Sequence, residues 1–335
     1  MLRSARYISF IAMIGVFLAL ASAACDGSSG NGEPTATPDT SAQFPVTLER
    51  SDGKSLVLES PPQRMAVLSP GHVEILFAIG AGDQVIAVDQ NSNFPPEAAA
   101  IELKLSGFEP SVEAIADVDP DLVIVSFNAD GIVEALDGLG IPVFFDDIDS
   151  EITSIEGVFE SIEELGRATG HREEADALVA QLEERVDAVV ESVAEVEQGP
   201  RIYHELTDML FSAGPDSFVG DLYNKLQAEN IARADEGPFP QFSAEAIIDR
   251  NPEVILLADA AFGQTPEVVS ARPGWDTIDA VANGRVHAVD PDIYSRPGPR
   301  IVDALEELAG LLYPDLFPDE EASIAALALS VPTRT

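Results

Sequence analysis

The sequence predicts an α/β protein of two Rossmann-like lobes, each built on a mostly parallel sheet and joined by one long helix. Three observations support this fold class. Short apolar runs alternate with helical segments in both halves of the chain, as in parallel sheets with helices on their faces. One helix–turn–strand unit occurs in each half. Between the halves, from Ile152 to Val193, apolar residues keep a helical spacing.

The repeated unit is Ser111–Ser126 (SVEAIADVDPDLVIVS) and Ser243–Ala258 (SAEAIIDRNPEVILLA), with six of sixteen positions identical and no gap. In each copy a serine can cap a short helix, a proline ends it, and an apolar strand follows. The unit is common enough in α/β proteins to recur by chance. The alternative, which we favour, is two similar lobes with Ser-x-Glu at an equivalent place and a ligand cleft between them.

Residues 1–24 are predicted to be an export signal and not part of the mature fold. Arg3 and Arg6 form a basic start, and the apolar run Tyr7–Leu20 follows them. This run is too short for a comfortable membrane span, and small residues come after it, as at a cleavage site.

Cys25 is the only cysteine of the chain, which excludes an intramolecular disulfide. Its place directly after the small residues resembles a bacterial lipobox, although Ser22 stands where leucine is usual. Lipidation of Cys25 is expected, with ordinary cleavage as the alternative. Residues 25–43 have almost no bulky apolar side chain and predict a flexible tether. The protein is therefore expected at the outer face of the cytoplasmic membrane, in a periplasm or at the cell surface.

The composition is strongly acidic, with 59 Asp and Glu against 18 Lys and Arg and a formal net charge of −41. Phosphate binding needs clustered basic residues, so nucleic acid is excluded as a partner and direct adhesion to anionic lipid is not expected. A chain of 335 residues, 46% of them hydrophobic, is long enough for two cores. The charge favours neutral or cationic ligands and basic protein partners.

The N-terminal lobe is predicted to span residues 44–149. Ser69-Pro70-Gly71 and Gly80 bound its first helix, and Gly140 ends its last. The predicted elements are strand Met65–Leu68, helix Val73–Ile79, strand Val85–Val88, helix Ser111–Ala116, strand Leu122–Val125, helix Gly131–Leu139 and strand Val143–Phe145. Their strict alternation predicts a parallel sheet.

A helical segment is predicted for residues 150–198, broken into two helices at Thr169-Gly170-His171. The second helix is long enough to cross between two small lobes, and a coiled-coil arm is the alternative. The C-terminal lobe is predicted to span residues 199–313, and residues 314–335 form a tail. The predicted elements are strand Arg201–Leu206, helix Phe218–Ala228, the repeated unit, helix Asp276–Ala282, strand Arg285–Val289 and helix Pro299–Leu312.

Four segments resemble a known family: Arg64–Ala98, Gly107–Ser126, Ala213–Ala232 and Ser295–Pro314. They are similar to the substrate-binding proteins of ABC importers for cobalamin, ferric siderophores and haem. The resemblance implies the class III periplasmic-binding-protein fold, with the ligand in the cleft between two lobes that move little. It implies a monomer that delivers its ligand to a permease with ATPase subunits. It also implies no cofactor beyond the transported ligand, a cobalamin or a ferric chelate.

The resemblance also suggests a role for Glu113 and Glu245, the glutamates of the repeated Ser-x-Glu. In the vitamin B12-binding members, one glutamate on each lobe docks into arginines of the permease. Carboxylates opposite arginine form oriented, bidentate hydrogen bonds. The alternative is that each glutamate only favours a helix N-terminus through the dipole, and both roles are compatible.

The cleft is expected to be lined by loops at the strand ends, with aromatic faces for a large flat ligand and polar groups to orient it. The resemblance places Asp292, Arg296 and Phe239 on ligand-contact positions. Asn91 and Ser126 stand where the cobalamin receptor has aromatic residues. The full set of predicted ligand-binding residues is Asn91, Phe108, Phe127, Phe239, Asp292, Tyr294 and Arg296.

Alternative ligands stay open. Ferric siderophores are often anionic and would use Arg296, whereas Arg300 is expected to be buried at a helix start. Haem needs an axial ligand, for which Tyr294, His72 and His204 are candidates. Free-metal binding is less favoured, because the four histidines have no metal-ligand spacing, so no metal site is assigned.

An enzyme is not expected. The chain has no Gly-rich phosphate loop, no Gly-x-Ser-x-Gly elbow and no cysteine besides Cys25. A structural surface protein is a further alternative, against which the nearly full-length resemblance to importer components argues.

Overall fold

The computed structural model describes residues 44–147 and 154–318, which belong to one compact unit. The predicted signal peptide, the tether with Cys25 and all but the first residues of the predicted tail lie outside the described residues. Within the described parts of the chain, no helix is both long enough and apolar enough to span a membrane.

The N-terminal lobe is a five-stranded, fully parallel sheet in the order β5-β4-β3-β6-β7, preceded by an antiparallel hairpin of β1 and β2. Its central strands are buried on both faces, as expected for a parallel sheet between helices. The elements are β1 Val46–Glu49, β2 Ser55–Leu58, β3 Met65–Val67, α1 Pro70–Ala78, β4 Val85–Asp89, α2 Pro96–Ala99, β5 Lys104–Leu105, α3 Val112–Asp117, β6 Leu122–Val125, α4 Ile132–Leu139 and β7 Val143–Phe145.

Two helices, α5 (Ile155–Thr169) and α6 (Arg172–Ser192), connect the halves of the chain. Gly170, at φ 81°, ends α5 in the left-handed conformation that favours glycine, so the predicted break is confirmed. With 21 residues, α6 is about 31 Å long. It buries an apolar stripe and pairs Arg185 with carboxylates of the last helix, α12.

The C-terminal lobe is a four-stranded parallel sheet in the order β11-β10-β8-β9. Its central strand β10 is buried throughout, like β6 in the other lobe. The elements are β8 Arg201–Glu205, α7 Phe218–Lys225, β9 Glu229–Asn230, α8 Ala244–Arg250, β10 Val254–Leu257, α9 Pro266–Ser270, α10 Asp279–Ala282, β11 Val286–Ala288, α11 Pro291–Tyr294 and α12 Ile301–Leu312. Mostly parallel α/β architecture, as predicted, is confirmed.

The two copies of the repeated unit have the same local structure. Ser111 caps α3 by accepting a hydrogen bond from Ala114 N at 3.3 Å, and Ser243 caps α8 from Ala246 N at 3.2 Å. The residue before each proline, Asp119 or Asn251, has a positive φ, which turns the chain from the helix into the strand. β6 lies between β3 and β7, and β10 lies between β8 and β11. Each unit therefore supplies an interior strand of its sheet.

Candidate ligand-binding site between the lobes

The predicted site residues lie in loops that follow the carboxyl ends of strands. In parallel sheets these ends share one edge, which is where ligands of α/β proteins bind. In the N-terminal lobe these loops follow β4, β5 and β6. In the C-terminal lobe Phe239 follows β9, and Asp292, Tyr294 and Arg296 follow β11. Each lobe thus has one candidate binding edge.

Asp89 fixes the edge of the N-terminal lobe. Its buried carboxylate accepts hydrogen bonds from Asn91 N at 2.7 Å and from Gly107 N at 2.8 Å. One side chain therefore holds the loops after β4 and β5 together. Gly107 is required at its position, because a Cβ there would collide with the carbonyl oxygen of Leu68. This local geometry fixes the backbone from which the Phe108 side chain projects.

Phe108 and Phe127 form an aromatic pair on this edge, with ring centroids 5.5 Å apart. Phe108 is 64% exposed, although an apolar ring of this size is ordinarily covered. Ser126, directly before Phe127, is buried. The pair presents an uncovered apolar surface of the kind that packs against a flat ligand.

The C-terminal lobe also exposes large apolar side chains near its strand ends. Met209 is 60% exposed and Phe239 is 54% exposed. Their loops are joined, because Gln241 Nε2 donates to Met209 O at 3.0 Å and Phe211 bridges to Gln241. Phe262, in the turn after β10, is also exposed. Both lobes therefore carry uncovered apolar side chains at their carboxyl edges.

Arg296 connects the lobes through a polar rim. Its Nη1 donates to Asn93 Oδ1 at 2.7 Å, and its Nη2 donates to Asn91 O at 3.0 Å. Asp292 Oδ1 lies 2.7 Å from Arg296 Nη2, and Asp292 Oδ2 accepts from Asn93 Nδ2 at 2.6 Å. Three of the predicted ligand-binding residues, Asn91, Asp292 and Arg296, are therefore brought together across the two lobes.

Glu74 of α1 lies behind this rim and was missed by the sequence analysis as a site residue. Its buried carboxylate forms a bidentate pair with Arg300, at 2.8 and 2.6 Å, and lies 3.3 Å from Arg296 Nη1. The Arg300 guanidinium lies 4.2 Å from the centre of the Phe94 ring. Arg300 is part-buried at the start of α12, as predicted, and its partner comes from the other lobe.

Tyr294 is placed differently from the prediction. It has no exposed surface and packs in the core with its ring 6.4 Å from that of His204. His204 is also buried and is hydrogen-bonded to the Tyr223 hydroxyl. Burial lowers the pKa of His204 to about 4 and raises the pKa of Tyr294. The prediction of Tyr294 as a ligand contact is therefore corrected, because its side chain is not accessible to a ligand. The burial of Tyr294 and His204 also argues against both as haem ligands.

His72 is buried in the N-terminal lobe. Its Nδ1 lies 2.8 Å from Ser69 Oγ and its Nε2 lies 2.9 Å from Asp146 Oδ2. Burial by itself would raise the pKa of Asp146, but the hydrogen bonds from His72 and Ser161 leave that pKa lowered. Both ring partners are internal, so His72 has a structural explanation. Among residues 44–147 and 154–318, no three His, Cys, Asp or Glu side chains converge as a metal site would require.

The C-terminal edge carries an acidic pair that the sequence analysis missed. Glu205, at the end of β8, is buried and pairs with Arg272 through two contacts of 2.6 Å. Asp259, after β10, is 4% exposed, and its carboxylate oxygens have no hydrogen-bond partner among the described residues. Burial, with the charge of Glu205 second, raises the pKa of Asp259 to about 7. The available signal was an acidic residue at the end of β8 and another shortly after β10.

Glu113 and Glu245 are both exposed and occupy matching positions in α3 and α8, two residues after the capping serine. The pKa of Glu245 is lowered by hydrogen bonds to its own backbone N–H and to Ser243. Both carboxylates are accessible to a partner.

Comparison with known proteins agrees with this architecture. The model of the family described as periplasmic binding protein matches residues 65–293. An uncharacterised ABC transporter substrate-binding lipoprotein of Bacillus subtilis, YvrC, is 32% identical over 304 residues, covering 87% of this chain and 94% of that protein. A cobalamin-binding protein of Halobacterium salinarum is 31% identical over 317 residues, covering 91% of this chain and 84% of the relative.

Among solved structures, the periplasmic vitamin B12-binding protein of Vibrio cholerae superposes with a TM-score of 0.65 and 25% identity. The match covers 75% of this chain and 97% of that structure. The family match spans both strand-end edges and the helices between them. The chain is thus a member of the periplasmic binding protein family.

Proposed function

We propose that this protein is the extracytoplasmic substrate-binding protein of an ABC importer and captures a corrinoid between its two lobes. The observation that carries the proposal is the pairing of exposed aromatic surfaces at both strand-end edges with an amide- and carboxylate-rich rim joining the lobes. The names of the Halobacterium and Vibrio relatives, a cobalamin-binding and a vitamin B12-binding protein, support the same ligand class.

The geometry suits a corrinoid for two chemical reasons. A corrin ring is large, flat and apolar on its faces, which matches the Phe108–Phe127 pair and Phe239 on the opposite lobe. Its periphery carries neutral amide groups that both donate and accept hydrogen bonds. Asn91 and Asp292 supply complementary groups at the rim. Apolar walls with a few placed polar groups are typical of small-molecule sites.

A ferric chelate is the second candidate. A possible iron-binding periplasmic protein of Staphylococcus epidermidis has the same fold at 27% identity and a TM-score of 0.66. The aromatic surfaces would suit an aromatic chelate equally well. Anionic chelates fit less well, because the Nη groups of Arg296 already contact protein oxygens.

The proposal includes attachment and delivery. Cys25 carries a lipid, residues 25–43 act as the tether, and the monomer presents Glu113 and Glu245 to arginines of the permease. The lipoprotein name of the Bacillus relative supports the anchor. Replacing Cys25 with serine should release the protein from the membrane fraction. Retention of that variant at the membrane would contradict the anchor.

The ligand is tested by calorimetry on the mature chain carrying Cys25→Ser. Cyanocobalamin, cobinamide, haemin and a panel of ferric siderophores are titrated in turn. Tight one-to-one binding of a corrinoid supports the proposal. Binding of only a ferric chelate would favour the second candidate over a corrinoid. If none of the compounds binds, both candidates are contradicted.

A further inference from the structure

The joint between the lobes contains a charge-balanced cluster of four side chains. Glu74 comes from α1 of the N-terminal lobe, whereas Asp292, Arg296 and Arg300 come from the loop and helix after β11. Two carboxylates face two guanidinium groups. The backbones also meet here, because a Cβ at Gly71 would collide with the carbonyl oxygen of Pro297. The cluster is therefore a fixed part of the joint.

The terminal donors of Arg296 all face protein oxygens within this cluster. Its two terminal nitrogens carry four N–H groups. They face four oxygens: Asn91 O, Asn93 Oδ1, Glu74 Oε1 and Asp292 Oδ1. A ligand carboxylate or phenolate could reach these donors only by displacing a protein oxygen.

Arg300 is held by the same carboxylate. Its Nε and Nη2 both donate to Glu74, and the plane of the guanidinium lies over Phe94. Within residues 44–147 and 154–318, Glu74 is the one carboxylate paired with both arginines. Its single negative charge therefore controls whether the rim has spare positive charge.

We propose that Glu74 is a specificity-determining residue that positions Arg296 and Arg300 and withholds them from anionic ligands. The rim that remains open to the ligand consists of amide and carboxylate groups, which select neutral hydrogen-bonding ligands. The inference deepens the proposed receptor function and rests on it for the location of the ligand. It assigns Glu74 a role beyond holding the lobes together.

Electrostatics gives the expected size of the effect. Removing the charge of Glu74 makes this part-buried place beside the cleft more positive by one unit of charge, with Asp290 as a further carboxylate near Arg300. Attraction between unit charges at an effective dielectric near 20 and a separation of several ångströms is worth about a tenfold change in affinity or more. A multiply charged anion gains more, while a neutral corrinoid gains nothing from this term.

The test compares the affinities of two probes, cyanocobalamin and a trianionic ferric tris-catecholate chelate, for the mature Cys25→Ser chain and its variants. Glu74→Gln removes the charge with the shape kept. Asp292→Asn removes a more exposed charge of the same cluster. Glu183→Gln, on the exposed side of α6, is the matched control for net charge. Circular dichroism checks that each variant is folded.

In both cluster variants, the affinity for the ferric tris-catecholate relative to that for cyanocobalamin should rise by about tenfold or more. Glu183→Gln should leave this ratio unchanged. An unchanged ratio in folded Glu74→Gln and Asp292→Asn would overturn the inference and assign Glu74 a structural role only. If the parent chain binds neither probe, the proposed function is contradicted. New anion binding by the cluster variants would even then support the inference, and its absence would overturn it.

Discussion

The two lobes share one plan but differ in how their binding edges are built. In the N-terminal lobe, Asp89 uses both carboxylate oxygens to hold two loops in place. In the C-terminal lobe, Asp259 lies equally deep after the matching interior strand, and its oxygens have no hydrogen-bond partner among the described residues. The same is true of the buried hydroxyl groups of Thr207 and Ser212, which come after β8 in the same lobe.

The difference indicates that the two binding edges have different roles in ligand binding. Buried polar groups without partners are costly, and in native proteins they concentrate where function requires them. At the N-terminal edge, both carboxylate oxygens of Asp89 have partners, which preorganises the two loops it joins, although Ser92 Oγ in the first of these loops has no partner among the described residues. The C-terminal edge has acceptors that an N–H or O–H group could still satisfy. We therefore expect substitutions to act differently in the two lobes.

The largest effect should come from the feature that the lobes share. Reversing both exposed glutamates, as Glu113→Lys with Glu245→Lys, should abolish uptake, because each would then oppose a permease arginine with a like charge. Ligand affinity of the purified receptor should not change, since both residues lie on the outside of short helices. Uptake is measured in cells and affinity by calorimetry. Normal uptake by the double variant would contradict docking through these residues.

The next largest effect should come from a substitution in the joint between the lobes, which is expected to lower thermal stability. Glu74→Ala leaves two part-buried guanidinium groups without their shared carboxylate, and breaking such pairs costs about 3 kcal/mol. For a domain of this size that lowers Tm by roughly 6 °C or more. Thermal denaturation followed by circular dichroism measures it. Glu183→Gln should leave Tm within a degree, and an equal loss in both variants would refute a special role for the joint.

A smaller effect is expected from loosening the preorganised edge. Asp89→Ala leaves two N–H groups without their acceptor, at a cost of about 2 kcal/mol, and frees the loop that carries Phe108. Ligand affinity should fall about tenfold, because ordering that loop then opposes binding. Ser106→Ala is the control, since it removes one exposed hydrogen bond to Glu109 N in the same loop. Equal affinity for the two variants would contradict preorganisation by Asp89.

The smallest effect should be a change in pH dependence at the C-terminal edge. The raised pKa of Asp259, about 7 against an unfolded value near 4, means that its protonated form is favoured in the fold. The stabilisation of the fold by the protonated Asp259 carboxyl is therefore fully present below about pH 4, and it is lost as the pH rises through about 7.

Asp259→Asn cannot ionise, so its Tm relative to the parent chain should rise by a few degrees between pH 5 and pH 8. Asp249→Asn, an exposed substitution on α8, serves as the control. A parallel pH profile for Asp259→Asn and the parent chain would show that Asp259 does not titrate in this range.

Most of the fold could be predicted from the sequence, because its strands are continuous apolar runs bounded by turn residues. β6 and β7 begin and end where predicted. The two-residue edge strands β5 and β9 could not be predicted, since Lys104–Leu105 and Glu229–Asn230 carry no apolar pattern and depend on the neighbouring strand. The β1–β2 hairpin was missed although Asp52-Gly53 is a turn signal.

The site could be predicted only in part. Asn91 and Phe127 follow strands that the sequence predicts, whereas Phe108 and Phe239 follow β5 and β9, which it does not predict. The partnership of Glu74 with Arg296 joins residues 222 positions apart, and no local pattern encodes it. The burial of Tyr294 likewise depends on how α11 packs onto α12. Tertiary packing, not residue type, decided both cases.

Trp275 gives the protein a built-in optical reporter. It is the single tryptophan of the chain, so its emission has one source. The indole is buried, lies 4.6 Å from the Arg272 guanidinium and meets Tyr203 edge to face. Arg272 in turn holds Glu205 at the binding edge. A ligand that binds Glu205 or Asp259 would change the electric field across the indole and shift its fluorescence emission. A ligand that contacts only the N-terminal lobe would leave the emission spectrum unchanged.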